Sequence, residues 1–126
     1  GDIAQVVTPA AVEFGLSRAT TIVGRWMSSA EYTAMKETGK IQIGSGGVTY
    51  VNTGGIENSW KGAPLSSVYA EFSVRSRNLV AGGNSNWFKL VSEEANNSTK
   101  NSLIKQSGDF LENIIVNNLS GIIGTK

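Results

Sequence analysis

Two charged side chains of this sequence lie where they could do chemistry, each inside a short apolar segment. Arg25 is the only charge in residues 20–27, whose β-branched and aromatic content predicts a strand. Glu71 lies in residues 68–75, where apolar and polar residues alternate and predict a second strand with one face of each kind. We expect both side chains to point away from the core, and the polar face around Glu71 to form the wall of a cleft.

Arg25 has the chemistry to hold a phosphate. A guanidinium donates two parallel charge-assisted hydrogen bonds to a phosphate or pyrophosphate, a geometry that lysine cannot reproduce. The alternative is structural, because arginines in the middle of strands often serve as partners in buried ion pairs. Glu31 or Glu71 would then be the partner, and the sequence leaves both interpretations open.

Glu71 also has two interpretations. Its carboxylate could stabilise positive charge at a sugar carbon or accept a proton from a ribose hydroxyl. The alternative is a solvated residue on an exposed sheet face. Tyr50 and Trp87 are similarly ambiguous, since aromatic rings stack on a nicotinamide or a nucleobase in binding sites but more often belong to a core.

The composition excludes several classes of reaction. The chain has no histidine and no cysteine, which rules out Ser-His-Asp triads, histidine-dependent ribonuclease chemistry, thiolate nucleophiles and disulfides. The usual zinc ligands are missing too, so we predict no metal site. Catalysis would have to use carboxylate, guanidinium, amine, hydroxyl or phenol groups.

Length and charge set the remaining bounds. A chain of 126 residues supports one core, so we predict a single domain over residues 1–126. Eleven basic residues against ten acidic ones give no bulk attraction for nucleic acid or membrane. No apolar run approaches the roughly 20 residues of a membrane-spanning helix, and we expect no membrane partner. Because the chain does not begin with Met, we expect it to be a fragment or the C-terminal end of a longer protein.

The order of the predicted elements favours an α+β fold. Short strands are expected at residues 48–52 and 87–91 as well, and the connections are too short for crossover helices, so the sheet should be small and mostly antiparallel. After the first strand, Ser28 and Glu31 match a capping box, and Gly39 suits the left-handed end of the helix between them.

Three other segments carry predictions. Residues 1–18 are expected to contain a short helix that ends near Gly15. Residues 53–66 are predicted to form a long surface loop held in place by Trp60. A C-terminal helix is predicted near residues 109–119. We expect the apolar tail that contains it to pack on the sheet, and the alternative is an exposed partner-binding surface.

Three runs of sequence carry a family resemblance. The first is GRWMS at residues 24–28, continued by Glu31-Tyr32, Met35 and TGKI at residues 38–41. The second is VTYV at residues 48–51, and the third is SVYAEFSV at residues 67–74. Together they resemble the TreTu family of bacterial polymorphic toxins over about residues 22 to 92. Ser73 stands where that family has an acidic residue, and the C-terminal third does not obviously match.

The resemblance implies an effector domain with a small ADP-ribosyltransferase fold, which modifies the translation factor EF-Tu with NAD as the substrate. Arg25 and Glu71 would be the catalytic residues. Thr49 and Tyr50 would shape the nicotinamide pocket. The residues expected to contact NAD are Arg25, Thr49, Tyr50, Ser73 and Trp87.

The resemblance also implies how such a domain is used. The toxin would be secreted or delivered by the producing bacterium, act in the cytoplasm of the target cell, and be neutralised by a cognate immunity protein. The chemistry agrees with the composition. Cleavage of the nicotinamide glycosidic bond passes through an oxocarbenium-like state that a carboxylate can stabilise without an imidazole.

Two other functions stay open. A tRNA-cleaving ribonuclease toxin of the contact-dependent inhibition type would use Glu71 as a base and Arg25, Arg75 or Lys89 to neutralise the phosphate, with EF-Tu as an accessory partner. A non-enzymatic binding module would use Arg25 and Glu71 only as an ion pair.

Overall fold

The computed structural model describes residues 19–126. They form a six-stranded antiparallel sheet with two α-helices, which confirms the predicted α+β class. In chain order the elements are β1 (Thr20–Met27), α1 (Ser29–Thr38), β2 (Val48–Asn52), β3 (Val68–Arg75), β4 (Val80–Ala81), β5 (Trp87–Val91), α2 (Asn97–Lys105) and β6 (Gly124–Thr125). In space the strand order is β4-β5-β2-β1-β3-β6. The helix predicted before Gly15 lies outside the described residues. Within residues 19–126, neither helix has the length and apolar character that a membrane span requires.

The main core lies between the sheet and α1. β1 and β3 pair along all eight residues, and residues directly opposite each other project to the same face. Val23 and Met27 of β1 therefore share a face with the apolar residues of β3, and Met35 of α1 packs against them. We call this side the core face and the other side, which carries Gly24 and Trp26, the second face. The alternation predicted in β3 is confirmed by the burial of Val68, Ala70, Phe72 and Val74.

The polar side of β3 differs from the expected cleft wall at one residue. Tyr69 lies on the second face and is fully buried, while Glu71 and Ser73 are half-buried and Arg75 is exposed. Tyr69 is covered because its ring packs against Trp26 of the neighbouring strand, with ring centroids 5.4 Å apart. The second face is therefore partly a packed aromatic layer.

Helix α1 begins and ends as its sequence predicts. The Ser28 hydroxyl accepts a hydrogen bond from the Glu31 amide (3.0 Å), and Gly39 adopts a left-handed conformation while its N–H donates to Met35 O (2.8 Å). The reciprocal half of the capping box is replaced, because the Glu31 carboxylate accepts hydrogen bonds from Arg25.

The C-terminal helix exists, but the predicted position was wrong. Helix α2 covers residues 97–105 and is capped by Asn96, whose side chain accepts a hydrogen bond from the Thr99 amide (2.8 Å). The sequence of this stretch is polar, and Leu103 is its buried anchor at the end of the helix. A helical pattern of apolar residues is therefore missing where the helix forms.

Residues 109–119 instead form a single 3₁₀ turn followed by extended chain. The tail runs along the outer edge of β3, where Asn117 O accepts from the Ser73 amide (2.9 Å) and the Ile123 N–H donates to Tyr69 O (2.8 Å). Unpaired groups on a strand edge need partners, and Asn118 with φ of 56° adopts a conformation that interrupts a helix. The tail packs on the sheet as predicted, with Ile114 buried, but as an edge segment.

Two tryptophans other than the predicted one anchor the loop over residues 53–66. Trp26 Nε1 donates to Ser59 Oγ (2.7 Å), and Trp87 Nε1 donates to Asn58 O (3.0 Å). Trp60 itself is 53% exposed. The loop is therefore held from the sheet side, while Trp60 stays accessible.

Candidate active site

A cavity opens where two central strands separate. β1 and β2 pair at one position, Gly24 opposite Asn52, whereas β2 pairs with β5 along five residues and β1 with β3 along eight. The cavity at this separation has a volume of about 380 Å³. Its walls come from Arg25, Trp26, Tyr50, Val51, Asn52, Trp60, Gly82 and Trp87.

Four aromatic side chains dominate the cavity. Trp26 and Trp87 are held in place by hydrogen bonds from their indole N–H groups to the loop. Tyr50 and Trp60 are about half exposed and face solvent at the cavity. A flat ring that enters the cavity would meet aromatic surface on several sides, which is the usual way in which proteins bind planar heterocycles.

Arg25 lines the same cavity but leaves β1 on the core face, because it lies directly opposite Ala70. The expectation that it points away from the core is therefore wrong. Its Nε donates to Glu31 Oε2 (2.7 Å), its Nη2 to Glu31 Oε1 (3.3 Å) and its Nη1 to Tyr50 O (3.0 Å). Of the two partners considered for an ion pair, Glu31 is the one in contact.

These contacts leave part of the guanidinium free to bind. A guanidinium has five N–H donors, and the contacts within residues 19–126 use three of them. One Nη1 donor and one Nη2 donor remain on a side chain that is 20% exposed. Glu31 therefore fixes the orientation of Arg25 without saturating it.

Glu71 lies on the opposite face of the sheet from Arg25. It is directly opposite Gly24, and Gly24 is directly opposite Asn52. A single row across three strands thus runs from Glu71 to a residue that lines the cavity. Glu71 is not among the described residues that form the cavity wall, and it flanks the cavity at the far end of this row.

A chain of hydrogen bonds follows the same row. Asn52 Nδ2 lies 3.2 Å from the Tyr69 hydroxyl, and the hydroxyl lies 3.2 Å from Glu71 Oε2. Burial raises the pKa of Tyr69 to about 12; the hydrogen bond from Asn52 opposes this shift and the charge of Glu71 adds to it. The phenol therefore stays protonated at neutral pH and donates to the carboxylate.

Gly24 makes this arrangement possible. The Tyr69 hydroxyl lies over the Gly24 backbone, and a Cβ at position 24 would collide with the hydroxyl and with the ring carbon that carries it. Because a glycine occupies the middle of the row, the phenol reaches across β1 to Asn52.

The other residues predicted to contact NAD divide into two groups. Tyr50 and Trp87 lie in the cavity wall with Arg25. Thr49 is 1% exposed and on the core face, where its hydroxyl donates to Gln42 O (2.6 Å) and accepts from the Gly44 amide (3.0 Å). Ser73 lies on the second face opposite Ile22, beside the tail. The structure thus brings Tyr50 and Trp87 to the cavity and places Thr49 and Ser73 elsewhere.

Sequence reasoning missed Trp26, Asn52 and Trp60 as cavity residues. Asn52 had a detectable signal, since it follows Tyr50 by two positions in the same strand and must share its face. Trp60 had none, because its place depends on the path of a long loop. Among residues 19–126 no group of three or more acidic side chains is close enough to hold a metal ion.

Comparison with known families places this small antiparallel domain, with its aromatic cavity between two strands, among toxin domains. The family model for the TreTu toxin C-terminal domain matches residues 20–119. The chain therefore belongs to the TreTu toxin C-terminal domain family. The match runs from the start of β1 into the tail, so it includes most of the C-terminal third, in which the sequence resemblance was not obvious. No curated protein matches the chain.

Proposed function

We propose that this toxin domain is an ADP-ribosyltransferase that uses NAD to modify EF-Tu and so blocks translation. The observation that carries the proposal is the aromatic cavity between β1 and β2, which has Arg25 in its wall and is linked to Glu71 through Asn52 and Tyr69. Membership of the toxin family supports an effector role, and the arrangement of the site supports this chemistry.

The cavity suits the nicotinamide end of NAD. Its volume of about 380 Å³ lies within the range of roughly 300–1,000 Å³ found for small-molecule sites. The nicotinamide ring of NAD is flat and positively charged, and aromatic faces attract such cations. Trp26, Tyr50 and Trp87 would hold the ring, and Trp60 would cover it from the loop side.

Arg25 would bind the phosphates of NAD. Its free Nη1 and Nη2 donors can bind two oxygens of a pyrophosphate at once, while Glu31 and Tyr50 O keep the guanidinium plane in position. A lysine at this position would keep the charge but lose the paired donors.

Glu71 would stabilise the reacting sugar. As the bond between ribose C1′ and the nicotinamide nitrogen breaks, the bonding electrons leave with nicotinamide, and C1′ becomes positively charged. The nucleophile on the target then bonds to C1′, and its proton passes to solvent. Strands in a sheet lie about 4.8 Å apart, so Glu71 lies about two strand spacings from Asn52. The ribose would extend from the cavity towards β3 on the outer side of the Tyr69 hydroxyl, which occupies the space over Gly24.

The test is a transfer assay with labelled NAD and purified EF-Tu. Wild-type protein should label EF-Tu, and Glu71→Gln should lower the rate by at least about 100-fold, because removing a charge that stabilises the transition state typically costs that much. Glu37→Gln changes an exposed glutamate of α1 and should behave like the wild type. Absence of label on EF-Tu from a toxic wild-type protein would refute the proposal.

A tRNA-cleaving ribonuclease is the second candidate. Lys89 lies directly opposite Tyr50 and shares its face, so a stacked base and a neutralised phosphate could lie side by side at the cavity. EF-Tu would then be an accessory partner. Northern blots of tRNA from intoxicated cells separate the two candidates, since only a nuclease shortens the RNA.

Membership of the toxin family also suggests where the domain would act. A toxin domain fits an effector that is secreted or delivered by the producing bacterium. We propose that it acts in the cytoplasm of the target cell, where EF-Tu is found, and that a cognate immunity protein neutralises it. Co-expression with the adjacent gene product of the producing strain should abolish toxicity if that product is the immunity protein.

A further inference from the structure

We propose that Tyr69 is a positioning residue that fixes the Glu71 carboxylate for the reaction. This inference rests on the proposed function, because it gives Tyr69 a role through Glu71. Tyr69 is fully buried, yet its hydroxyl lies between the polar groups of Asn52 and Glu71. A side chain that served only to fill the second face would not need a hydroxyl, since phenylalanine has nearly the same volume and no buried polar group to satisfy.

The direction of each hydrogen bond in the series from Asn52 to Glu71 follows from the Asn52 amide, at which the series begins. Asn52 Nδ2 donates to Gly55 O (2.9 Å) and to the Tyr69 hydroxyl (3.2 Å), which accounts for both of its N–H donors. Because the Tyr69 oxygen accepts from Asn52, its own hydrogen is available for Glu71 Oε2. The backbone of the loop thus orients the amide, the amide orients the phenol, and the phenol orients the carboxylate.

Tyr69 has little freedom to leave this position. Its ring packs against Trp26, with the planes inclined by 57°, and its hydroxyl end occupies the space that the missing side chain of Gly24 leaves. With its pKa raised by burial to about 12, the phenol keeps its proton over the pH range in which such an enzyme is assayed. The donor to Glu71 is therefore permanent.

The backbone of Glu71 is fixed independently. Its N–H donates to Ser120 Oγ (2.9 Å), and its carbonyl accepts from the Ser120 N–H (2.8 Å). Two contacts from the tail thus hold the peptide on one side of β3. The side-chain torsions of Glu71 are what remain to be fixed. Among residues 19–126, the Tyr69 hydroxyl is the group that donates a hydrogen bond to its carboxylate.

Tyr69→Phe tests this inference because it keeps the ring and removes only the hydroxyl. We expect kcat for NAD cleavage to fall by about 10- to 100-fold, the effect of losing one hydrogen bond to a charged group, with KM for NAD changed by less than about twofold. A merely structural role would lower the unfolding temperature without separating kcat from KM. Thr21→Val, which removes a hydroxyl bonded to Ser76 (2.6 Å), is the matched control and should leave both constants unchanged.

The outcomes separate the two proposals. An active wild-type protein and a folded Tyr69→Phe variant with the same kcat would overturn the inference about Tyr69 alone. A wild-type protein that does not cleave NAD under any condition would overturn the proposed function, and this inference with it. A fall in kcat with unchanged KM, in a variant whose circular dichroism spectrum matches the wild type, would support both.

Discussion

The substitution Gly24→Ala should be strongly destabilising although it adds one methyl group. The new Cβ would overlap the hydroxyl end of Tyr69, and that ring is fully buried and packed against Trp26. Forcing extra volume into a packed site costs about 1–3 kcal/mol, and displacing the phenol also weakens its two hydrogen bonds, each worth about 1 kcal/mol. We therefore expect the free energy of unfolding to fall by about 3 kcal/mol, which is a drop of about 10 °C in Tm.

Urea and thermal denaturation followed by circular dichroism would measure the effect. Gly121→Ala is the matched control, because a Cβ at position 121 has no neighbour within 4 Å among the described residues, and it should stay within about 0.5 kcal/mol of the wild type. Combining Gly24→Ala with Tyr69→Leu should show a coupling of at least about 1 kcal/mol, since the second change removes the clashing atoms. A Gly24→Ala protein as stable as the wild type would show that Tyr69 does not occupy this space.

Three further outcomes are expected. Trp60→Ala should raise KM for NAD about tenfold, because stacking on an aromatic ring is worth about 1–3 kcal/mol. It should cost little stability, because the ring is half exposed. Leu65→Ala is the control, and a Trp60→Ala protein with the same KM as this control would exclude Trp60 from the site. Burial acts to raise the pKa of Glu112, but hydrogen bonds from Ser92 Oγ (2.5 Å) and the backbone place it below its ordinary value of 4.5. The stability from this contact is thus present above pH 4.5 and lost as the pH falls through the lower pKa of Glu112 in the folded state. Glu112→Gln should therefore flatten the loss of unfolding free energy in this acid range, measured by urea titrations. An unaltered pH dependence of stability would contradict the assignment. Truncation after Asn113 should cause aggregation by uncovering the edge of β3, and a soluble product that unfolds cooperatively would argue against this.

The strands and α1 could be predicted because their signals are local. Alternation in β3 assigned its two faces correctly, and Ser28 and Gly39 marked the ends of α1. The C-terminal segments could not be predicted in this way. Residues 109–119 are apolar enough for a helix, but their structure is decided by the unpaired edge of β3, which exists only once the sheet has formed.

The site was predictable only in part, because the sequence of β1 indicates neither the face to which Arg25 belongs nor the register in which the strand pairs. β1 has apolar residues on both sides of the strand, with Val23 and Met27 on one and Ile22 and Trp26 on the other. Its sequence therefore gives no indication of the face to which Arg25 belongs. A shift of one residue in pairing moves every side chain to the other face, so the relation of Arg25 to Glu71 depended on a register that the sequence does not specify.

The opposite placement of Arg25 and Glu71 restricts where a shared ligand could lie. Side chains from two faces of a continuous sheet cannot contact one small molecule, because the paired backbones separate them. The single pairing between β1 and β2 removes that barrier locally, and Arg25 extends into the opening, where it donates to Tyr50 O. A ligand in this opening can reach Arg25 directly and approach Glu71 along the hydrogen-bonded row of Asn52, Tyr69 and Glu71. If the two residues do act on one substrate, restoring continuous pairing between β1 and β2 should abolish activity even with both side chains intact.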